Sequence, residues 1–188
     1  MPRMTKSELN AEIIDRAAGL FAKHGFAHTS LQQIADAVNY SKAGLLHHFP
    51  SKQALFDAAL RTGLEHMQAL VERVESLAPG VERERAVIEN LVDFTFAWPG
   101  VSAFANRLVE GEQSEVPELM QMALLIYVAL GIDPATASQE RLVRVTSSLT
   151  GLGATALVAV RSGFHREWRP LIILAAMDTL GHHSLTTP

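Results

Sequence analysis

Apolar residues recur at every third or fourth position along most of this chain, which is the spacing of helices that bury one face. Residues that favour helix starts precede the first three apolar runs, namely Thr5, Ser30 and Ser41. Thr5 and Ser30 are each followed three residues later by Glu or Gln, so both form capping boxes. A fourth helix is expected to begin at Ser51 and to end near Pro79, over about 26 residues or roughly 39 Å.

Further breaks divide the rest of the chain into four or five more helices. They fall near Pro99 and in the segments 111–117, 131–134 and 163–170. Within the third of these, Asp133-Pro134 has the residue types of a helix start. No stretch alternates apolar and polar residues between turn signals, as strands do. The sequence therefore predicts an all-α protein of about nine helices, with a three-helix head over residues 1–50 and a helical body over residues 51–188.

The second and third helices are short and closely spaced. The second begins at Leu31, and Asn39 can end it in the left-handed conformation, as Gly25 can end the first. The third begins after Ser41 and ends by His48, because Pro50 follows. In a helix-turn-helix of this kind the second helix enters a DNA major groove. A plain hairpin in an all-α core remains the alternative at this point.

Residues from Ile13 to Lys52 resemble the N-terminal segment of the TetR family of bacterial transcriptional regulators. The family pattern reads roughly I-x-x-A-x-x-x-F-x-x-x-G, then T-[ST]-x-x-x-I-A, then S-x-x-x-L-Y-x-H-F-x-[ST]-K-x-x-L. The matching positions are Ile14, Ala17, Phe21, Gly25, Thr29, Ser30, Ile34, Ala35, Ser41, Leu45, His48, Phe49, Ser51, Lys52 and Leu55. The resemblance implies a DNA-binding head, a homodimer and a body that binds a small-molecule effector.

Two groups of head residues are the candidate DNA contacts. On the third helix we expect base-edge contacts from Lys42, Ala43 and His47. Resemblance and geometry together indicate phosphate contacts from Ser30, Ser41, His48 and Lys52. A solvated ring and a half-buried core ring are the alternatives for His47 and His48. Two positions depart from the family: Leu46 stands where Tyr is usual and Gly44 where Ser, Thr or Ala is common, so two potential hydroxyl contacts are missing.

The charge of the chain is unevenly distributed. The whole sequence has a net charge of −4. Residues 1–52 carry six Lys or Arg against four Asp or Glu, which leaves −6 for the remainder. This asymmetry suits a head that faces DNA on an acidic body, although +2 over fifty residues is unremarkable.

The last two helices of the body are the candidate dimer interface. Small residues at helical spacing leave one flank of the first of them without bulk: Ser147, Gly151, Ala154 and Val158. The second would be the apolar run Leu171–Leu180, with Ile172 and Ala175. Together with their symmetry mates these helices would place two heads on a palindromic DNA site. Packing of the small residues within one chain is the alternative.

The body also holds candidates for an effector pocket, which the resemblance implies. Aromatic and methionine residues are the candidate lining: Met67, Phe94, Trp98, Phe104, Met120, Met122 and Tyr127. Each of them is equally compatible with plain core. Polar residues near the breaks are candidates to orient a ligand: His66, Asn106, Arg107, Glu110 and Glu112. Such a lining favours an apolar or cationic ligand.

Other classes of protein find little support. The chain has no cysteine, no glycine-rich phosphate loop, no nucleophile elbow and no helical pair of histidines four residues apart, so we expect no catalysis, no metal site and no cofactor. A helical adaptor that uses the head for protein contact remains an alternative. The uncharged segment Val145–Val160 is too short and too polar to span a bilayer, which indicates a soluble, cytoplasmic protein.

Overall fold

The structure is a computed structural model that describes residues 5–110 and 116–182, without the side chains of residues 108–110. Within those ranges the chain forms nine α-helices and no strand, which confirms the all-α prediction. The helices are α1 (Lys6–His24), α2 (Leu31–Ala37), α3 (Lys42–His48), α4 (Lys52–Val74), α5 (Val81–Ala97), α6 (Pro99–Glu110), α7 (Pro117–Leu130), α8 (Gln139–Ser162) and α9 (His165–Leu180). Residues 111–115 of the predicted break and the candidate Glu112 lie outside the described residues, as does the side chain of Glu110.

The helices form two compact units, and the division falls inside α4. The first unit is Met1–Leu64 with Trp98–Leu119, and the second is Glu65–Ala97 with Met120–Pro188. In the first, α1 packs on α2 and α6, and α2 packs on α3. In the second, α8 and α9 pack on each other and on α5. Thus α6 belongs to the same unit as α1, α2 and α3, whereas α5 belongs to the second unit.

The predicted helix ends around α1 and α2 are confirmed. The Glu8 amide donates to the Thr5 hydroxyl (3.2 Å), and the Thr5 amide donates to the Glu8 carboxylate (2.7 Å). The Thr5 hydroxyl also donates to this carboxylate (2.9 Å), and the Thr5 amide and hydroxyl together hold the pKa of Glu8 below its ordinary value. Gly25 ends α1 at φ 81°, and Asn39 follows α2 at φ 56°. The side chains of short polar residues therefore fix where the head helices begin and end.

Aromatic rings fill the core of the first unit. Phe21 of α1 contacts Phe26, Phe56 and Phe104, with ring centroids 5.6, 6.0 and 5.9 Å away. Phe56 and Phe104 also meet edge to face at 5.0 Å. Because Phe104 lies on α6, this cluster joins α6 to α1 and to the start of α4.

The crossing of α1 and α6 is unusually close. A Cβ atom at Gly100 would lie 1.9 Å from the Asp15 carbonyl oxygen, so only glycine fits there. The Asp15 carboxylate accepts hydrogen bonds from the amides of Gly100 (2.8 Å) and Val101 (3.0 Å). Burial raises the pKa of Asp15, although those two hydrogen bonds oppose the shift. A side chain of α1 thus caps the first turn of α6 in place of a local residue.

Three predicted helix boundaries are wrong. α4 ends at Val74, since the Leu77 amide closes a turn on the Val74 carbonyl (3.0 Å). Asp133 starts no helix; its carboxylate and carbonyl accept the amides of residues 135, 136 and 137 in an isolated turn. Ser138 instead caps α8.

The third wrong boundary is the start of α9. The helix begins at His165, so Pro170 lies inside it and the predicted run from Leu171 is only its later part. Proline at the sixth helical position leaves one carbonyl, that of Arg166, without its amide partner. α8 is long and apolar enough by composition to span a membrane, but the core helix of a globular protein passes the same test. It packs along α9 and α5 in the second unit.

Candidate nucleic-acid interface

α3 presents its polar face to solvent and buries one anchor. Leu45 is fully buried against the head core. Lys42, Ala43 and His47, the predicted base-contacting residues, are all exposed. The Gly44 amide donates to the Ser41 hydroxyl (3.0 Å), which fixes the start of the helix. The head therefore holds this seven-residue helix by its buried side and leaves its other side free for a ligand.

Ser30 and Ser41 are exposed caps of α2 and α3. The Ser30 hydroxyl accepts the Gln33 amide (3.2 Å), and the Gln33 side chain accepts the Ser30 amide (2.7 Å). In each cap the serine oxygen acts as an acceptor, so the hydroxyl proton remains available for a second partner. Both serines can thus hold their helix and donate to an anion at once.

His48 and Lys52 are half-buried and already have partners within the first unit. The Nδ1 atom of His48 lies 2.8 Å from Oδ1 of Asn10 on α1. If Nδ1 donates there, the ring can donate from Nε2 only in its imidazolium form. The Lys52 ammonium donates to the Phe26 carbonyl (2.6 Å) and lies 4.3 Å from the centroid of the Phe26 ring. A phosphate contact by Lys52 would use its remaining protons.

Sequence reasoning missed Tyr40, which lies between the two short helices. Its ring is 37% exposed and meets the His48 ring edge to face, with centroids 6.0 Å apart. A Cβ atom at Gly44 would lie 3.2 Å from Cδ1 of this ring. The signal was present in the sequence, because an aromatic residue directly before the Ser41 cap is four residues from the unusual Gly44.

The structure does not bring the candidate effector-pocket residues together in one unit. Trp98 and Phe104 belong to the first unit, where Phe104 is core. The other candidates belong to the second unit: Met67 and Met122 are buried, Phe94 and Tyr127 are half-buried, and Met120 is 61% exposed. Asn106 and Arg107 are exposed on α6.

Within the second unit His66 and Phe94 stand out. Their rings stack with centroids 3.8 Å apart and planes at 18°. Burial lowers the pKa of His66 to about 4, helped by the charge of Arg73 and opposed by Asn90. His66 Nε2 and Asn90 Oδ1 are both buried, and the Asn90 side chain acts on the His66 ring as a hydrogen-bond partner. These two side chains therefore form a small buried polar cluster beside the ring of Phe94.

A groove runs between α8 and α9 on the surface of the second unit. Residues of both helices line it, including Ser147, Gly151, Leu171, Ile172 and Ala175. Ala154 and Val158 are also exposed, whereas Ile172 is buried. Leu171 is 60% exposed and Leu174 is 41% exposed. Apolar side chains at such exposure mark a surface suited to a protein partner.

The head matches a known family. Residues 13–59 match the family model described as bacterial regulatory proteins, tetR family. Over this region, which holds all seven candidate DNA contacts, the chain belongs to the tetR family.

Similar proteins agree with the family. The HTH-type transcriptional repressor KstR2 of Rhodococcus jostii (strain RHA1) is 32% identical over 124 residues, 66% of this chain and 58% of that protein. The HTH-type transcriptional repressor Rv1474c of Mycobacterium tuberculosis is 33% identical over 76 residues, 39% of this chain and 41% of that protein. The chain thus spans less than two thirds of the curated relatives it matches.

A solved structure supports the fold over most of the chain. The TetR family transcriptional regulator PfmR from Thermus thermophilus aligns with a TM-score of 0.55 and 20% identity. The alignment covers 86% of this chain and 96% of that one. At this identity the likeness concerns the fold alone.

Proposed function

We propose that the protein is a homodimeric transcriptional repressor that binds a palindromic DNA operator and is released from it by a small molecule. The observation that carries the proposal is α3, whose exposed face presents Lys42, Ala43 and His47 while Leu45 anchors it. Such a helix suits direct readout, in which Lys42 donates to guanine, Ala43 meets a thymine methyl and His47 reaches an acceptor on the groove floor. Ser30, Ser41, His48 and Lys52 position the head on phosphates.

Three further features support the regulatory part. KstR2 and Rv1474c, which are 32% and 33% identical to the chain over the aligned residues, are both repressors, which favours repression as the sign of control. The exposed groove between α8 and α9 supports a homodimer. The buried polar atoms of His66 and Asn90, with the ring of Phe94 stacked on His66, support an effector site within the second unit. Neither a cofactor nor catalysis enters this proposal, and the expected location is the cytoplasm.

Fluorescence anisotropy with the intergenic DNA beside the protein's own gene tests the proposal. We expect tight binding to that fragment, weak binding to a scrambled duplex, and a steep decrease in affinity as salt rises. Lys42→Ala should lower specific affinity by about ten-fold or more, because a lost base contact costs about 1–3 kcal/mol. Lys23→Ala, which removes an equal charge from the exposed end of α1, is the matched control. A selection from random duplexes covers an operator that lies elsewhere. Equal, weak binding to the native fragment, to the duplexes enriched in that selection and to the scrambled duplex would contradict the proposal.

A further inference from the structure

Tyr40 is held from two sides between α2 and α3. Its amide donates to the Ala35 carbonyl (2.9 Å), while the Asn39 amide donates to the Asp36 carbonyl (3.2 Å). With Asn39 left-handed at φ 56°, this is the Schellman arrangement at the end of α2. The backbone of Tyr40 is thereby tied to the helix that precedes it.

The ring of Tyr40 is held by the helix that follows. It lies against the backbone at Gly44, where an added Cβ would be 3.2 Å from Cδ1 and 4.0 Å from Cε1 of the ring. It also meets the His48 ring edge to face. Gly44 and His48 lie four residues apart on one flank of α3, and the ring of Tyr40, which precedes the helix, packs on that flank. His48 is itself held by Asn10, so the ring packs on a fixed surface.

The hydroxyl group of Tyr40 does not contribute to the fold of the head. It makes no hydrogen bond within the described part of the chain, and the side chain is 37% exposed. The flank it occupies adjoins the exposed face that carries Ala43 and His47. Its ring therefore lies beside the groove-facing side of α3 rather than on it, where a DNA backbone would pass if α3 entered the major groove.

We propose that Tyr40 donates its hydroxyl proton to a DNA phosphate and that Gly44 is required to let its ring lie in place. This inference rests on the proposed DNA-binding function. The Tyr40 hydroxyl replaces one of the two hydroxyl contacts that are missing at Leu46 and Gly44. It comes from the turn before α3 instead of from the helix itself. The position of the ring also accounts for a glycine that costs about 1 kcal/mol relative to alanine inside a helix.

Tyr40→Phe tests the hydroxyl alone, since it keeps the ring. We expect a loss of specific affinity of about ten-fold or more, the scale of one hydrogen bond to a charged group. The melting temperature should be unchanged, because the hydroxyl has no internal partner. Lys23→Ala, which changes an exposed residue of the head outside α2 and α3, is the control and should bind as the wild type does.

Phosphate contact is tested with duplexes in which single phosphates are replaced by neutral methylphosphonates. At one phosphate in each half-site the replacement should weaken binding of the wild-type protein but leave binding of Tyr40→Phe unchanged. Gly44→Ala should weaken binding of the wild type by displacing the ring, and it should have a smaller effect in the Tyr40→Phe background, where only its close approach to the Ser41 hydroxyl (3.2 Å) still matters.

The outcomes separate the two proposals. Specific binding by the wild-type protein with equal affinity for Tyr40→Phe would overturn the role of Tyr40 and leave the proposed function intact. Equal sensitivity of both proteins to every methylphosphonate would do the same. Absence of specific binding to any duplex by the wild type would overturn both.

Discussion

Burial in the second unit changes the chemistry of His66. Stacking on Phe94 and the nearby charge of Arg73 accompany a pKa of about 4, compared with 6.5 for a free histidine. The ring is therefore neutral at physiological pH. A neutral imidazole offers one donor and one acceptor, so it can exchange hydrogen bonds with a polar group in either role.

The lowered pKa of His66 predicts a contribution to acid sensitivity. As pH falls from about 7 towards 4, the unfolded chain binds the proton before the folded chain does, so the free energy of unfolding decreases through that window. We expect wild type to lose about 1–2 kcal/mol more than His66→Gln between pH 7 and 4.5, a figure reduced for the partial exposure of the ring. Urea unfolding at several pH values measures this, and parallel profiles for the two proteins would contradict it.

At the scale of helices, the crossing of α1 and α6 depends on a single glycine. The close approach places the Asp15 carbonyl where any side chain at Gly100 would begin. The neighbouring contact is ordinary, because a Cβ at Gly19 would lie 3.6 Å from the Gly100 Cα atom. The same crossing therefore contains one position that excludes alanine and one that accepts it.

Gly100→Ala should separate α1 from α6 and lower the free energy of unfolding by at least about 3 kcal/mol, the scale of severe overpacking. Gly19→Ala is the matched control, and it should be neutral or stabilising by up to about 1 kcal/mol through helix propensity. Asp15→Ala, which removes only the cap, should cost about 1 kcal/mol. Urea denaturation measures all three, and a Gly100→Ala protein as stable as the wild type would contradict the crossing.

The helices of the head could be predicted from sequence because their ends are set by neighbours along the chain. The Thr5 and Ser30 caps and the turn at Asn39 need only residues within a few positions. Asp133-Pro134 misled because an isolated turn and a helix start use the same residue types. The pairing of α1 with α6 was not predictable, since no local pattern links Asp15 to Gly100.

The candidate site could also be predicted only where it depends on residues close together in the sequence. Exposure of Lys42, Ala43 and His47 follows from the periodicity of α3 around Leu45. The partners that hold His48 and Lys52 could not be predicted, because Asn10 and the Phe26 carbonyl come from other elements. Phe104 was placed among pocket candidates because composition alone cannot distinguish the core of one unit from that of another.

At the scale of the whole molecule, the proposed function requires two copies, because a palindromic site is read by two heads related by a two-fold axis. The proposed interface is the groove between α8 and α9. Leu171 in this groove and Met120 on α7 are almost equally exposed, at 60% and 61%. They form a matched pair of positions at which a charge can be introduced without disturbing the core of the protomer.

Leu171→Glu should give a folded monomer, because a charge facing its own symmetry mate would be both buried and repelled. Its affinity for the palindromic duplex should fall at least about ten-fold, towards the affinity for a single half-site, since the second head no longer binds as part of the same molecule. Met120→Glu should remain a dimer and bind as the wild type does. Sedimentation velocity and anisotropy measure the two properties. A dimeric Leu171→Glu protein beside a monomeric Met120→Glu protein would move the interface from α8 and α9 to α7.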